Sequence, residues 1–348
     1  MSADPFPRIS QKLFVPSFVL VGRINMATRL EQAMCNIKTK TATEVNLSMS
    51  FIGDGDAQSL AEALKNNASV KAVRLSVNVI GEDGAKSLAD ALKINTSITR
   101  MDLACNYFGE DGAKSLADAL KINTSITSIS LSCNSIGAAG AQSLADAMKI
   151  NTFIKDIDLF YCNIGEDGAK SLADSLKINT SITLINLSDN KIGEAGVRSL
   201  ADALKINKSI TEMKLSNNNI EAAGAKSLAD ALKINKSIAR MDISGNNIGD
   251  AGAKSLADAL KINKSIAQID VSGNNIRDTG AKSLADALKI NTSITEMKLS
   301  SNNNNSNNNK IDESTRELIT SFLERNDSIL ERRQALTSLL SCLSADAT

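Results

Sequence analysis

The ten residues Gly84-Ala-Lys-Ser-Leu-Ala-Asp-Ala-Leu-Lys93 recur along this chain every 28 residues, starting again at Gly112, Gly140, Gly168, Gly196, Gly224, Gly252 and Gly280. A fixed period of this length means that each unit is one supersecondary element, which buries its apolar face only by stacking on its neighbours. The 348 residues therefore need not divide into several globular domains, as a non-repetitive chain of that size would. Within a unit, Ala85, Leu88, Ala89 and Leu92 share one helical face, while Met101 and Leu103 alternate as in a short strand. Each turn thus reads strand, loop, helix, loop. Glu82 and Asp83 stand before the helix and Lys93 closes it, as the helix dipole prefers, and Lys86 and Asp90 are spaced as an i,i+4 pair on a solvated convex face.

Each unit continues as Ile98-x-x-Met101-x-Leu103-x-x-Asn106-x-Phe108, a pattern that resembles the leucine-rich repeat consensus L-x-x-L-x-L-x-x-N/C-x-L. The unit length and the Gly-Ala-x-x-Leu-Ala-x-Ala-Leu helix resemble the ribonuclease-inhibitor type, whose 28-residue units also occur in NOD-like receptors and in the Ran GTPase-activating protein. The resemblance covers about residues 40–330. It implies an α/β fold: a right-handed solenoid of about ten turns, with a parallel sheet on the concave face and helices on the convex face. The consensus Asn falls at Asn78, Asn106, Asn134, Asn190, Asn218, Asn246, Asn274 and Asn302, with Ser50 and Cys162 filling the other two places. In the family this side chain bonds the backbone of neighbouring turns, which makes the series a structural ladder, and Cys162 a permitted if weaker member of it.

An open stack needs atypical ends. Residues 1–40 read as an N-terminal cap, with Phe14, Phe18, Val19 and Leu20 covering the first turn and Ala27 to Met34 repeating the helix imperfectly. Repeats fill 41–302, an Asn-rich loop takes 303–309, and a degenerate repeat with capping helices fills 310–348, its tail carrying Leu336, Leu339, Leu340 and Leu343 at helical spacing. Leu13 to Gly22 faintly echoes a signal peptide but is broken by Pro16.

Composition removes many functions. Lys plus Arg equals Asp plus Glu at 39 each, so no net field draws in nucleic acid or an anionic membrane. The chain has no His and no Trp, which takes away the commonest general base and metal ligand. No catalytic residue, metal site or cofactor is expected. The five cysteines lack disulfide-framework spacing, so free thiols and a cytoplasmic location are expected. Cys105 and Cys133 share a register on adjacent turns, which leaves open a disulfide or a shared soft metal. Sequons such as Asn95-Thr96-Ser97 repeat only because the unit does.

Near-identical units act as an internal control: positions free to differ are those that face a partner. Residues six, four and two before the ladder position, and the two flanking it, line the concave face. In the C-terminal half these are repetitive and polar. Turns three to five differ, with Arg100, Asp102, Cys105 and Tyr107, then Cys133, then Asp156, Asp158, Phe160 and Tyr161. Together with Val77 and Val79 they predict an apolar patch, and aromatic and Arg side chains are typical interface anchors. Drift in one turn is the alternative, since Phe153 has also replaced a Ser there. The resulting expectation is a monomeric, non-catalytic scaffold that binds a protein partner on its concave face. The alternatives are a GTPase-activating protein for a Ran-like small GTPase, from which no residue carries over, and a ligand-sensing or effector region like that of NOD-like receptors, without their nucleotide loop.

Overall fold

The computed structural model of the chain describes residues 29–300 and 311–345, with side chains to residue 337. Phe14, Phe18, Val19 and Leu20 of the expected N-terminal cap, Asn302 and the Asn303–Asn309 loop lie outside the described residues. So do the side chains of Leu339, Leu340 and Leu343.

Ten three-residue strands form one sheet in chain order: β1 (Glu44–Asn46), β2 (Ala72–Arg74), β3 (Arg100–Asp102), β4 (Ser128–Ser130), β5 (Asp156–Asp158), β6 (Leu184–Asn186), β7 (Glu212–Lys214), β8 (Arg240–Asp242), β9 (Gln268–Asp270) and β10 (Glu296–Lys298). Every pairing is parallel and offset by 28 residues, as in Met101 opposite Ile129. A helix follows each strand, from α2 (Asp54–Lys65) and α3 (Glu82–Leu92) to α10 (Asp278–Ile290), after helix α1, described over 29–38. The result is the open α/β solenoid that the repeat implies, with strands on the inner face and helices outside.

The central residue of each strand, Met101 or Ile157 for example, points into the core against Leu and Ala side chains of the helices, most of them fully buried. Helix stacking is close enough to require glycine. A Cβ at Gly168 would lie 2.6 Å from Cγ2 of Ile164 and 3.0 Å from Cβ of Ala141 on the preceding helix.

Two asparagine ladders tie the turns together. In the first, Nδ2 of Asn190 donates to Leu159 O (2.7 Å) and Leu187 O (2.9 Å), while its Oδ1 accepts from the Cys162 amide (2.9 Å). Cys162 takes the same place with a single thiol, donating to Leu131 O at 3.3 Å and to Phe160 O at 3.4 Å. The second ladder, Asn67 to Asn291 at the helix-to-strand bend, is absent from the consensus reading. Asn95 donates to Leu64 O (2.6 Å) and Asn67 O (2.9 Å) and accepts from the Ser97 and Ile98 amides (2.8 and 2.9 Å). All but Asn151, which precedes Thr152-Phe153, are sequon asparagines. With Asn95 buried and its amide fully engaged, a glycan there is incompatible with the folded turn.

Three expectations need correction. Glu82 and Asp83 lie inside the first turn of α3, not before it. Asp90 pairs with Lys93 at 2.7 Å, an i,i+3 contact, instead of with Lys86. The physical reason is direction: helical side chains lean toward the N-terminus, so a cation reaches back over an acid that precedes it. The same order holds for Glu194 with Arg198. Finally, a single helix, α11 (Glu313–Ala345), replaces the expected capping helices. Its first half covers the last turn, with Ile319 and Asn326 buried and Asn326 donating to Asn291 O and Ile294 O. Arg325 adds a bond to Leu288 O (2.8 Å) and lies over the Phe322 ring. Residues 331–337 are all exposed, Leu336 among them. At 1.5 Å per residue the helix is about 50 Å long, more than one turn of solenoid has surface to cover. No described helix is long and apolar enough to cross a membrane.

Candidate interaction surface

The concave surface is built by two local rules. Within a strand the residues flanking the buried centre face outward, which sets Arg100 and Asp102 on β3, and Asp156 and Asp158 on β5, on the open side. After the strand, the residue just before the ladder position takes a left-handed conformation in every described turn, from Met49 (φ 55°) and Val77 (φ 58°) to Gly273 (φ 65°). That twist throws its side chain to the edge of the sheet. For β-branched Val77 it is a strained geometry, and Asn or Gly fills the place in turns seven to nine.

Turn by turn, the residues flanking the ladder position read Met49 and Phe51, Val77 and Val79, Cys105 and Tyr107, Cys133 and Ser135, Tyr161 and Asn163. Tyr107 is 74% exposed, Phe51 68% and Met49 67%. The apolar edge therefore starts in the first turn, one turn earlier than the expected patch, which begins at Val77 and Val79. Met49 and Phe51 were legible in the same register but are part of the first, least regular unit. Phe160 and Tyr161 lie together, ring centroids 6.1 Å apart and tilted by 38°. They are separated from the residues of β3 by β4, whose outward residues are Ser128 and Ser130. The expected patch is therefore a strip along one edge with two charged clusters beside it, and not a single cluster.

Charges in the strip are free of one another. Among the described residues, Arg100, Asp102, Asp156 and Asp158 take part in no ion pair; Asp102 and Asp158 accept only the amides of Ala104 (3.0 Å) and Phe160 (3.1 Å). On β7 and β8, by contrast, Glu212 is bound by Arg240 at 2.6 Å and Lys214 at 3.4 Å. A depression of about 270 Å³ opens there, lined by Lys214, Asp242, Asp270 and Lys298.

Cys105 and Cys133 are free, half-buried thiols that contact each other. Burial, then the Cys105 thiol, push Cys133 up to about 12, and burial pushes Cys162 up to about 12 as well. Neither is a ready thiolate, and no cluster of three or more potential metal ligands exists among the described residues. In turn six, burial raises the Asp189 carboxyl while the amide of Asn217, donating at 3.2 Å, opposes the shift.

Comparison with known families places this geometry. The sequence profile described as Leucine Rich repeat matches eight segments, 66–89, 95–117, 123–145, 151–173, 179–201, 207–229, 235–257 and 263–285. Among solved structures, the leucine-rich repeat-containing protein LegL7 from Legionella pneumophila aligns over 82% of this chain and 91% of its own, at 20% identity and a TM-score of 0.51. Leiomodin-1 Actin-Binding Site 2 aligns over 37% of this chain and 77% of its own (25% identity, TM-score 0.36). The tropomodulin C-terminal domain from Caenorhabditis elegans aligns over 48% and 98% (18% identity, TM-score 0.42). No curated protein matches the sequence.

Proposed function

This chain belongs to the leucine-rich repeat family, and from that premise we propose that it is a non-catalytic scaffold whose concave face binds a protein partner along the edge of turns one to five. The observation that carries the reading is the row of exposed apolar side chains from Met49 to Tyr161 on an otherwise polar sheet. Exposed apolar surface of this kind is costly unless something covers it. Tyr107, Phe160 and Tyr161 supply rigid contact area with little rotamer entropy to lose. Arg100, Asp102, Asp156 and Asp158, without ion-pair partners, supply orientation by pairing with charges of opposite sign on the partner. The ladder residues Asn78, Asn106, Asn134, Cys162, Asn190, Asn218, Asn246 and Asn274 hold the backbone that presents them. Free thiols at Cys35, Cys105, Cys133 and Cys162 support a reducing compartment, the cytoplasm, as the place of action.

The test is capture of partners by affinity enrichment with the full chain, followed by titration of each with variants. Phe160→Ser with Tyr161→Ser is expected to weaken a concave-face partner by about a hundredfold. Unchanged affinity for every captured partner would sink the proposal.

A further inference from the structure

The bend after each helix places one isoleucine outside the solenoid. Lys93 closes α3, Ile94 follows, and Asn95 turns inward to its buried ladder position, so the side chain between them points to solvent. Eight isoleucines spaced 28 residues apart, from Ile94 to Ile290, occupy this place and are 49 to 62% exposed. The asparagine that follows does not depend on them: Asn66 stands at the equivalent position of the first unit, and Asn67 still accepts the Val70 amide at 2.8 Å. Nearby surface positions vary among the same units, Lys86 giving way to Gln142 and Arg198, and Thr96 to Lys208. Phe153, 43% exposed and just past Ile150, adds an aromatic ring to the row. Because all strands are parallel, every one of these bends lies on the same flank of the solenoid, away from the concave face.

We infer that this isoleucine row is a self-association surface, on which a second copy of the chain packs flank to flank about a two-fold axis between Ile178 and Ile206. Three observations choose this occupant. An isoleucine so placed shows on the order of 100 Å² to water, so the row with Phe153 offers about 800 to 900 Å², the share one partner gives to a standard interface. The formal net charge of zero leaves no repulsion between copies. Finally, the residue after each bend asparagine is distributed to suit such an axis. Lys208, Lys236 and Lys264 occupy the later turns, and Thr124, Thr152 and Thr180 the earlier ones. The two-fold sets each of these lysines opposite a threonine of the other copy, whereas an in-register arrangement sets lysine against lysine. The flanking Asp–Lys pairs, such as Asp174 with Lys177 at 2.8 Å, present both signs and can exchange partners across the axis. The contact is isologous, so it closes at two copies, and it leaves the concave face open.

Sedimentation velocity on the full chain between about 1 and 100 µM tests this, a range that spans ordinary homodimer affinities. The expected result is a species of twice 36.8 kDa, converted to monomer, with at least about a tenfold weaker association, by Ile150→Ser, Ile178→Ser, Ile206→Ser and Ile234→Ser combined. At concentrations low enough for both to be monomeric, thermal unfolding of the variant is expected to match that of the parent chain, and if four changes impair folding, Ile178→Ser with Ile206→Ser serves in their place. Amine cross-linking is expected to join Lys93 to Lys289 in the dimer only, since within one copy seven turns hold them more than about 30 Å apart. A monomer throughout, a dimer indifferent to the substitutions, or cross-links only between like-numbered lysines would overturn the inference.

Discussion

Along the edge that flanks the ladder, turns one to five carry Met49, Phe51, Val77, Tyr107 and Tyr161, while turns seven to nine carry Asn217, Asn219, Gly245, Asn247, Gly273 and Asn275. Backbone conformation just before the ladder position is the same in both regions, left-handed at Val77 and at Gly245 alike. The C-terminal half fills it with residues that tolerate positive φ, and there Glu212 is bound by Arg240 and Lys214, while Asp242 and Asp270, like Asp102 and Asp158, accept the amide two residues on; in the first two turns Arg74 pairs with Glu44 at 2.8 Å. The N-terminal half fills it with residues that do not favour it, and leaves Arg100, Asp102, Asp156 and Asp158 without ion partners. A region in which local backbone comfort is given up is where an external surface has most to gain.

The comparison can be broken first at its common frame. Asn246 donates to Leu215 O (2.9 Å), Ile243 O (2.9 Å) and Ser244 O (3.0 Å) and accepts the Asn218 amide at 2.7 Å. Asn246→Ala strands these buried groups and is expected to cost about 3 to 5 kcal/mol in urea unfolding. Cys162→Asn, which restores the fuller bonding set, should cost nothing and raise stability by up to about 1 kcal/mol. Equal losses from both changes would show that the two halves are not built on one ladder.

Next in size is the reach of the apolar edge. Met49→Ser with Phe51→Ser is expected to weaken a concave-face partner about tenfold, whereas Asn219→Ser with Asn247→Ser should leave affinity within about twofold. A sharper probe is thiol chemistry. Cys133 and Cys162 have folded-state pKa values of about 12, so at pH 8 both stay protonated and iodoacetamide should label exposed Cys35 well before either. Their folded pKa values lie above the unfolded value of about 8.5, so the stabilisation they contribute is complete below that pH and is lost as pH rises toward 12. Rapid labelling of Cys133 at pH 8 would contradict this. The smallest effect belongs to the charge pairs: Glu212→Gln should change stability by less than about 0.5 kcal/mol, because its partner Arg240 is half exposed.

Strand order, the first asparagine ladder and the apolar faces of the helices were legible in the sequence, because burial repeats with the unit and leaves a periodic trace. The second ladder left an equally regular trace at Asn67, Asn95 and onward, but the same residues also spell a sequon. Side-chain pairing was not legible: Lys86 and Lys93 are both within a helical turn of Asp90, and only the lean of the side chains decides between them. Tyr107, Phe160 and Tyr161 could be placed on one surface by register, yet their division by β4 depends on which turn carries serine outward. Leu336 shows the limit of helical spacing as evidence, since the spacing is helical and among the described residues no element covers it.

The thiol in the first ladder has one further consequence. A stack of near-identical turns behaves as a series of coils whose coupling sets how far a disturbance travels. Asn190 grips its neighbours with bonds of 2.7 to 2.9 Å, while Cys162 holds Leu131 O at 3.3 Å. The seam between the fourth and fifth coils is thus the softest in the interior, and it falls beside the Phe160 and Tyr161 rings. Pulled from its ends, such a spring should yield there first, and amide exchange should be fastest across that seam. Closing around a partner would bend the same coil.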